Sequence, residues 1–364
     1  MFHHQDESRT VNTSKVLPGG ASPPGRIRKF RIAAILVGSI VGLFCGLVFY
    51  LWYEPTIYLY ELGHEVSGHR YLYDKQLGWK NIPGWKATTF DKPLTINSKG
   101  LRDREYAYRK PGNCQRILAL GDSYTWGYGV GDDQIYTEVM ERSLSERQPV
   151  WQVLNAGVSG WGTDQQYLYL KQEGFHYSPD IVIVGFFYMN DFANNAWSEQ
   201  YGLQKPVFVS TELDVANVPV PKPGDAGDIQ PTLTPVNPFE LTVSIFRHMA
   251  AACADQNCRL VVLKFGVYLD PQERLRLDNG ESGRKLDNYR RMNAEATQFE
   301  QMLTKLDNLY YFDLDHALEQ RGHTIMDLQH GNHDSHWNSF AHGEIAEVVI
   351  DFLEKHQLLE DEGS

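Results

Sequence analysis

The sequence predicts an α/β protein: one domain built on an open sheet of five parallel strands, preceded by a single transmembrane helix. Three observations carry this. From residue 114 onward, short apolar runs alternate with stretches of helical spacing. Those runs (RILAL, WQVLN, DIVIVGFF, RLVVLKF and NLYYFDL) are continuously apolar, as strands covered by helices on both faces must be. Ahead of them, residues 32–53 run for 22 positions without a charge.

Taken from the N-terminus, residues 1–31 read as a disordered, basic, cytoplasmic tail. They are polar and rich in Gly, Pro and Ser, a composition that cannot bury enough apolar surface to fold. Six Lys and Arg stand against Asp6 and Glu7, and Arg26, Arg28, Lys29 and Arg31 cluster just before the apolar run. At about 1.5 Å per residue, the run at 32–53 covers the roughly 30 Å hydrocarbon core. Tyr50, Trp52 and Tyr53 at its far end suit the lipid–water boundary. A cleaved signal peptide fits less well, because the run is long and LWYEPT offers no small-residue cleavage site. The basic cluster places the N-terminus in the cytoplasm and everything beyond residue 53 outside, so the run reads as a signal anchor.

Residues 54–113, rich in aromatics, Gly and Pro, lack helical periodicity and read as an irregular extension with short strands that packs on the domain ahead. The domain itself spans residues 114–358. After RILAL, the segment QIYTEVMERSLSE has helical spacing; WQVLN follows, and Thr163 or Asp164 can cap the next helix. DIVIVGFF leads to a Pro- and Val-rich stretch at about 199–237, read as an insertion over one face. PFELTVSIFRHMAAACADQ reads as helix, RLVVLKF as strand, 284–306 as a polar helix, NLYYFDL as the fifth strand and 338–356 as the closing helix.

The net charge is −12 although the first 31 residues are basic, so the remainder is strongly acidic and would be repelled by phosphate backbones; nucleic acid is not an expected partner. Of four cysteines, Cys45 lies in the apolar run. Cys114, Cys253 and Cys258 fall in the outer part, where Cys253 and Cys258 could pair or remain buried thiols.

In open α/β sheets the active site lies beyond the carboxyl ends of the strands, so the residues after each run are informative. RILAL is followed by Gly121-Asp122-Ser123-Tyr124-Thr125-Trp126-Gly127, in which flanking glycines let the chain turn and present Ser123. WQVLN is followed by Ala156-Gly157-Val158-Ser159-Gly160-Trp161-Gly162-Thr163, a source of backbone donors. DIVIVGFF leads to Tyr188-Met189-Asn190-Asp191, and Asp334-Ser335-His336-Trp337-Asn338 precedes the last helix. A hydroxyl, backbone donors, a carboxamide and a carboxylate–imidazole pair are what acyl transfer requires. The spacing of His330, His333 and His336 also resembles a metal set, but without a helix to align them the signal is weak, and no metal or cofactor is expected.

In order, GDSYTWG, NAGVSGWGT, YMND and DSHWN resemble the blocks that carry the Ser, Gly, Asn and His of SGNH (GDSL) hydrolases. The resemblance implies a flavodoxin-like SGNH-hydrolase domain with Ser123 as nucleophile and His336 as general base. It implies an oxyanion hole made of the Ser123 and Gly160 amides and the Asn190 side chain, with Gly157 a rival of Gly160. The family's usual acid lies three residues before the histidine, where this chain has His333; Asp334, two residues before, then becomes the acid. That Asp-x-His-Trp version resembles the polysaccharide O-acetyltransferase-like branch. The expectation is a bacterial, membrane-anchored, extracytoplasmic esterase acting on a small-molecule or carbohydrate ester. Acyl transfer to an envelope or secreted polysaccharide is the first alternative, and a silent scaffold of the same fold the second. Asn97, Gly100 and Arg102 resemble a segment that often precedes the first block and are expected to be structural, with Arg102 near the pocket rim, and Trp126 and Trp161 either line the pocket or pack in the core.

Overall fold

Each apolar run becomes a strand because its alternate side chains can be buried on opposite faces of one sheet. The computed structural model describes residue 32 and residues 35–45, 71–222, 232–331 and 334–360. Five parallel strands, β1 (Cys114–Leu120), β2 (Val150–Asn155), β3 (Ile181–Phe187), β4 (Arg259–Phe265) and β5 (Leu309–Asp313), lie in the order β5-β4-β3-β1-β2. This is the flavodoxin-like order, and the strand sequence reverses direction on either side of β1.

The helices are α1 (Ser123–Trp126), α2 (Tyr136–Leu144), α3 (Thr163–Gln172), α4 (Asp191–Ala196), α5 (Pro238–Asp255), α6 (Pro271–Asp278), α7 (Arg284–Leu303), α8 (Leu314–Gln320), α9 (Ile325–Leu328) and α10 (Ser339–Lys355). Along β1, Leu118 and Leu120 face a core built with α3, α5 and α7. Ile117 and Ala119 face the opposite core, built with α2, α8 and α10. The same alternation holds in β3 and β4, so the sheet is sandwiched between two helical layers.

Residues 71–113 are more ordered than their composition suggests. They contain two antiparallel hairpins, Tyr71–Asp74 with Gly78–Asn81 and Lys86–Thr89 with Lys92–Thr95. The insertion holds two short strand pairs, Glu199–Gln200 with Leu203–Gln204 and Val207–Phe208 with Val215–Ala216. A further hairpin pairs Gln329–Gly331 with Asp334–Trp337. Helix α6 went unforeseen because its residues, PQERLRLD, bury none of their number and give no amphipathic signal.

The chain divides into two units, residues 1–58 and 59–364. In the first, Ile32 and residues 35–45 are helical, with Leu36, Leu43 and Phe44 exposed. Among the described residues no helix is long and apolar enough to cross a membrane; the rest of the expected 32–53 span lies outside them. The Cys253 and Cys258 thiols are both free and buried; the hydrogen bond between them, with burial, pushes the Cys253 thiol far up.

Candidate active site

The turn from β1 into α1 is what positions Ser123. Asp122 caps α1, its carboxylate accepting from the Tyr124 amide at 3.0 Å. Gly127 ends the helix one turn later with φ +90°, a left-handed conformation that favours glycine. Ser123 is thereby held at a helix start directly beyond the tip of β1, beside the switch point between β1 and β3.

His336 reaches the serine from the final hairpin. Its Nε2 lies 2.8 Å from Ser123 Oγ, and its Nδ1 lies 2.7 Å from Asp334 Oδ1. The same Asp334 oxygen accepts from the His336 backbone amide at 2.9 Å, which ties the carboxylate to the residue it orients. Partial burial alone would raise the Asp334 carboxyl, but the hydrogen bonds from the His336 side chain and amide outweigh it and hold the group below its ordinary value. Asp334 is therefore ionised at neutral pH, and a spacing of two residues suffices to bring the acid to the imidazole. His333 lies outside the described residues; among the described residues no three His, Cys, Asp or Glu side chains are grouped to hold a metal ion.

The expected donors lie on the loops after β1, β2 and β3. Asn190, just past β3, donates from Nδ2 to Asp122 Oδ2 at 3.2 Å, which places its amide beside the residue preceding Ser123. The amide carries a second N–H, and its Oδ1 is buried with no hydrogen-bond partner among the described residues. Gly157 and Gly160 are told apart by their surroundings. The Gly157 amide donates to Asn155 Oδ1 at 2.9 Å, and a Cβ there would lie 2.5 Å from the Trp126 amide nitrogen, so Gly157 serves close packing of the two loops. Gly160 has φ +77°, and a Cβ there would lie 2.6 Å from the ring of Tyr201. The insertion thus lays an aromatic ring over Gly160.

Several functional neighbours were not foreseen. The His336 ring is flanked by Tyr124 and Tyr128, with centroids at 4.8 and 4.4 Å. Tyr124 Oη donates to the Ser335 carbonyl at 3.1 Å and so also pins the strand that bears His336. Their spacing from Ser123, one and five residues on, is the only signal the sequence offered. Arg102, expected in a structural role near the rim, has the structural role but is buried, at 1% exposure. Its guanidinium donates to the carbonyls of Trp126, Gly127 and Val130 and pairs with Asp132, which anchors the chain between α1 and α2. Trp126 and Trp161 are fully buried and belong to the core rather than to a pocket.

A cavity of about 410 Å³ opens beside the relay. Tyr124, Met189, Ser335 and Trp337 line it, each adjacent in sequence to Ser123, Asn190 or His336, and Phe187, Phe265 and Leu328 make its walls apolar. A hydroxyl hydrogen-bonded to an imidazole that is itself hydrogen-bonded to an ionised carboxylate can attack an electrophilic carbonyl. An apolar cavity on the same rim can hold what that carbonyl carries.

Residues 119–340 match the family model described as GDSL-like lipase/acylhydrolase family. Among curated proteins none matches. Among solved structures, a lipolytic protein of the G-D-S-L family from Desulfitobacterium hafniense is similar at 13% identity, covering 65% of this chain and 97% of that one with a TM-score of 0.37. The esterase EstA from Pseudoalteromonas sp. shares 18% identity over 67% of this chain and 98% of that one, with a TM-score of 0.40. The acetylxylan esterase Axe2 from Geobacillus stearothermophilus shares 14% identity over 68% and 96%, with a TM-score of 0.37.

Proposed function

Because the chain belongs to the GDSL-like lipase/acylhydrolase family and is thus an ester-cleaving hydrolase, we propose that it works through an acyl-Ser123 intermediate. The observation that carries this reading is the unbroken relay from Ser123 Oγ to His336 at 2.8 Å and on to Asp334 at 2.7 Å.

A free serine hydroxyl is a poor nucleophile, so His336 Nε2 takes its proton as Oγ attacks the ester carbonyl. Asp334, kept ionised by its hydrogen bonds from His336, fixes the tautomer with the proton on Nδ1 and stabilises the imidazolium. The oxyanion is met by the Ser123 and Gly160 amides and the second N–H of Asn190. Such a donor is typically worth about 3 kcal/mol. Collapse returns the proton to the departing alcohol, and water, activated by the same imidazole, frees the acid. The apolar cavity lined by Tyr124, Met189 and Trp337 takes the acyl chain. No step calls on a cofactor.

Residues 32–53 act in this reading as an uncleaved signal anchor, with the N-terminus in the cytoplasm and the hydrolase domain outside. The uncharged 22-residue run and the Arg26–Arg31 cluster support it. Resistance of the membrane-bound chain to alkaline extraction, with residues 59–364 open to protease only from the outer side, is the expected result. A soluble chain would remove the anchor and leave the chemistry untouched.

The full chain in detergent should release p-nitrophenol from acetyl and butyryl esters and become covalently labelled at Ser123 by a fluorophosphonate. Turnover without labelling, or labelling that survives Ser123→Ala, would refute the acyl-serine route.

A further inference from the structure

The turn of the 86–95 hairpin borders a second, smaller crevice of about 290 Å³, lined by Phe90, Lys92, Gly129, Gln134, His330 and Ser339. Its chief oddity is Phe90. The hairpin turns through two residues, Phe90 (φ +45°) and Asp91 (φ +61°), between the paired Thr89 and Lys92. A two-residue turn with both φ values positive suits Asn-Gly. A bulky side chain in the left-handed region costs roughly 1–2 kcal/mol. Strain of this kind persists where the surroundings hold it and clusters at ligand sites.

The surroundings here are explicit. The Phe90 ring stacks on His330 (5.4 Å, 16° between planes) and meets Tyr128 edge-on at 5.2 Å. Tyr128 in turn packs at 4.4 Å on the His336 ring. The Thr89 hydroxyl accepts from the Gly129 amide at 3.1 Å, and His330 Nε2 lies 3.2 Å from the Tyr128 carbonyl. Phe90 nevertheless remains 49% exposed, so much of its ring is not used in packing. A strained aromatic is thus fixed one ring away from the proposed base, in a crevice that shares no lining residue with the apolar cavity.

We propose that this crevice is the alcohol-side subsite and that it takes a sugar ring, so that the ester cleaved is an O-acylated carbohydrate. The proposal rests on the acyl-Ser123 reading, since it names the alcohol that the same ester would carry. A sugar ring has apolar C–H faces and a rim of hydroxyls. The crevice matches it with an exposed aromatic side on Phe90 and polar groups on Gln134, Ser339 and Lys92. Lys92 and Ser339 are exposed and can bond to sugar hydroxyls, whereas an aliphatic alcohol offers them no partner. Lys92 has no ion-pair partner among the described residues and is the only Lys or Arg lining the crevice, where a strongly anionic ligand would call for a cluster of cations. A volume near the lower end of ligand pockets suits one ring rather than an extended chain.

The test compares two acetyl esters that differ only in the alcohol, ethyl acetate and methyl 6-O-acetylglucoside, with the corresponding mannoside as a second sugar. For the full chain, kcat/KM should favour a sugar ester by tenfold or more. Phe90→Gly should cut that ratio about 5- to 10-fold, the loss of one aromatic contact of roughly 1 kcal/mol, without lowering the thermal midpoint, because glycine relieves the turn. Phe90→Tyr should keep the ratio within about twofold. Ethyl acetate cleaved as fast as the sugar esters, or a ratio unmoved by Phe90→Gly, overturns the subsite and leaves the serine hydrolase standing. If neither ester turns over, calorimetry on the Ser123→Ala chain decides. Binding of methyl 6-O-acetylglucoside that disappears on adding Phe90→Gly supports the subsite although the hydrolase reading has failed; no binding overturns both.

Discussion

The loops beyond the sheet and the segment at 71–113 meet at the same site but contribute differently. In the proposed mechanism the loops after β1, β2 and β3 and the Asp334–Trp337 strand supply the acting groups: Ser123, the Gly160 amide, Asn190, and His336 with Asp334 behind it. The 71–113 segment supplies none of these and grips the loops by their backbones. Trp79 donates from Nε1 to the Ser159 carbonyl, Asn81 from Nδ2 to the Gly157 carbonyl, and Arg102 to three carbonyls just beyond Ser123. Reacting groups sit on rigid strand ends, and the irregular segment fixes the loops between them. The difference teaches that reactivity and precision are encoded in separate stretches of this chain, and substitutions in the two should fail in different ways.

The largest effects belong to the reacting groups. Ser123→Ala and His336→Ala are each expected to lower kcat by about 10⁴-fold or more, with little change in the thermal midpoint, since neither side chain carries the fold. Asp334→Asn should cost about 10³- to 10⁴-fold, by removing the carboxylate that fixes the imidazole tautomer. Asn190→Ala should cost about 10²- to 10³-fold, the usual loss of one oxyanion donor. Steady-state kinetics on folded variants checks all four. An Asp334→Asn enzyme as active as the native one would mean that another group orients His336.

Arg102→Met tests the other half of the comparison. The methionine nearly fills the volume but leaves the carbonyls of Trp126 and Val130 without their donor, while that of Gly127 keeps only the Val130 amide. Unsatisfied buried carbonyls cost about 1–3 kcal/mol each, so stability measured by urea unfolding should drop by about 3 kcal/mol. The effect on kcat/KM, at a temperature where the variant is folded, should stay under about tenfold because no reacting atom is touched. A rate loss as large as that of Asn190→Ala, with stability intact, would place Arg102 among the reacting groups and dissolve the division.

The division also explains what could be read from the sequence. The five strands announced themselves through continuous apolar runs, and the reacting residues through side chains with demanding chemistry at the ends of those runs. Asp334 was read as the acid because the resemblance's usual acid position holds His333, and the hairpin does bring its carboxylate to His336 Nδ1. The bracing was hidden for a physical reason. Its strands have four residues each, too short for periodicity to show, and its decisive bonds join positions far apart, as from Trp79 to Ser159. Arg102 was expected to be structural, but its depth was not legible. An arginine is expected at the surface, yet the curled chain from Trp126 to Val130 offers enough carbonyls to bury it. Tyr201 over Gly160 was equally hidden, since nothing in a Pro- and Val-rich insertion says where its turn will land.

The smallest expected effect concerns how far the influence of the bracing segment reaches. His342, on α10, is fully buried and stacks on Tyr136 (6.1 Å, 5°), and its Nδ1 accepts from the Tyr136 amide at 3.2 Å. Burial first, and then the nearby charge of Arg102, pushes its imidazole down to about 3 from an ordinary 6.5. The folded chain therefore holds His342 neutral where the unfolded chain would protonate it. The contribution to stability is fully present above pH 6.5 and is lost as pH falls from there toward 3, at no more than about 1.4 kcal/mol per pH unit. Thermal midpoints measured down this range should fall less steeply in His342→Gln, whose side-chain oxygen can still accept from Tyr136. In Arg102→Met the acid slope should persist almost unchanged, because burial rather than the guanidinium is the main cause. If Arg102→Met abolished the slope as His342→Gln does, the charge of the bracing segment would be acting on the far side of the nucleophile helix, and its role would extend from holding backbones to setting the electrostatics of the site.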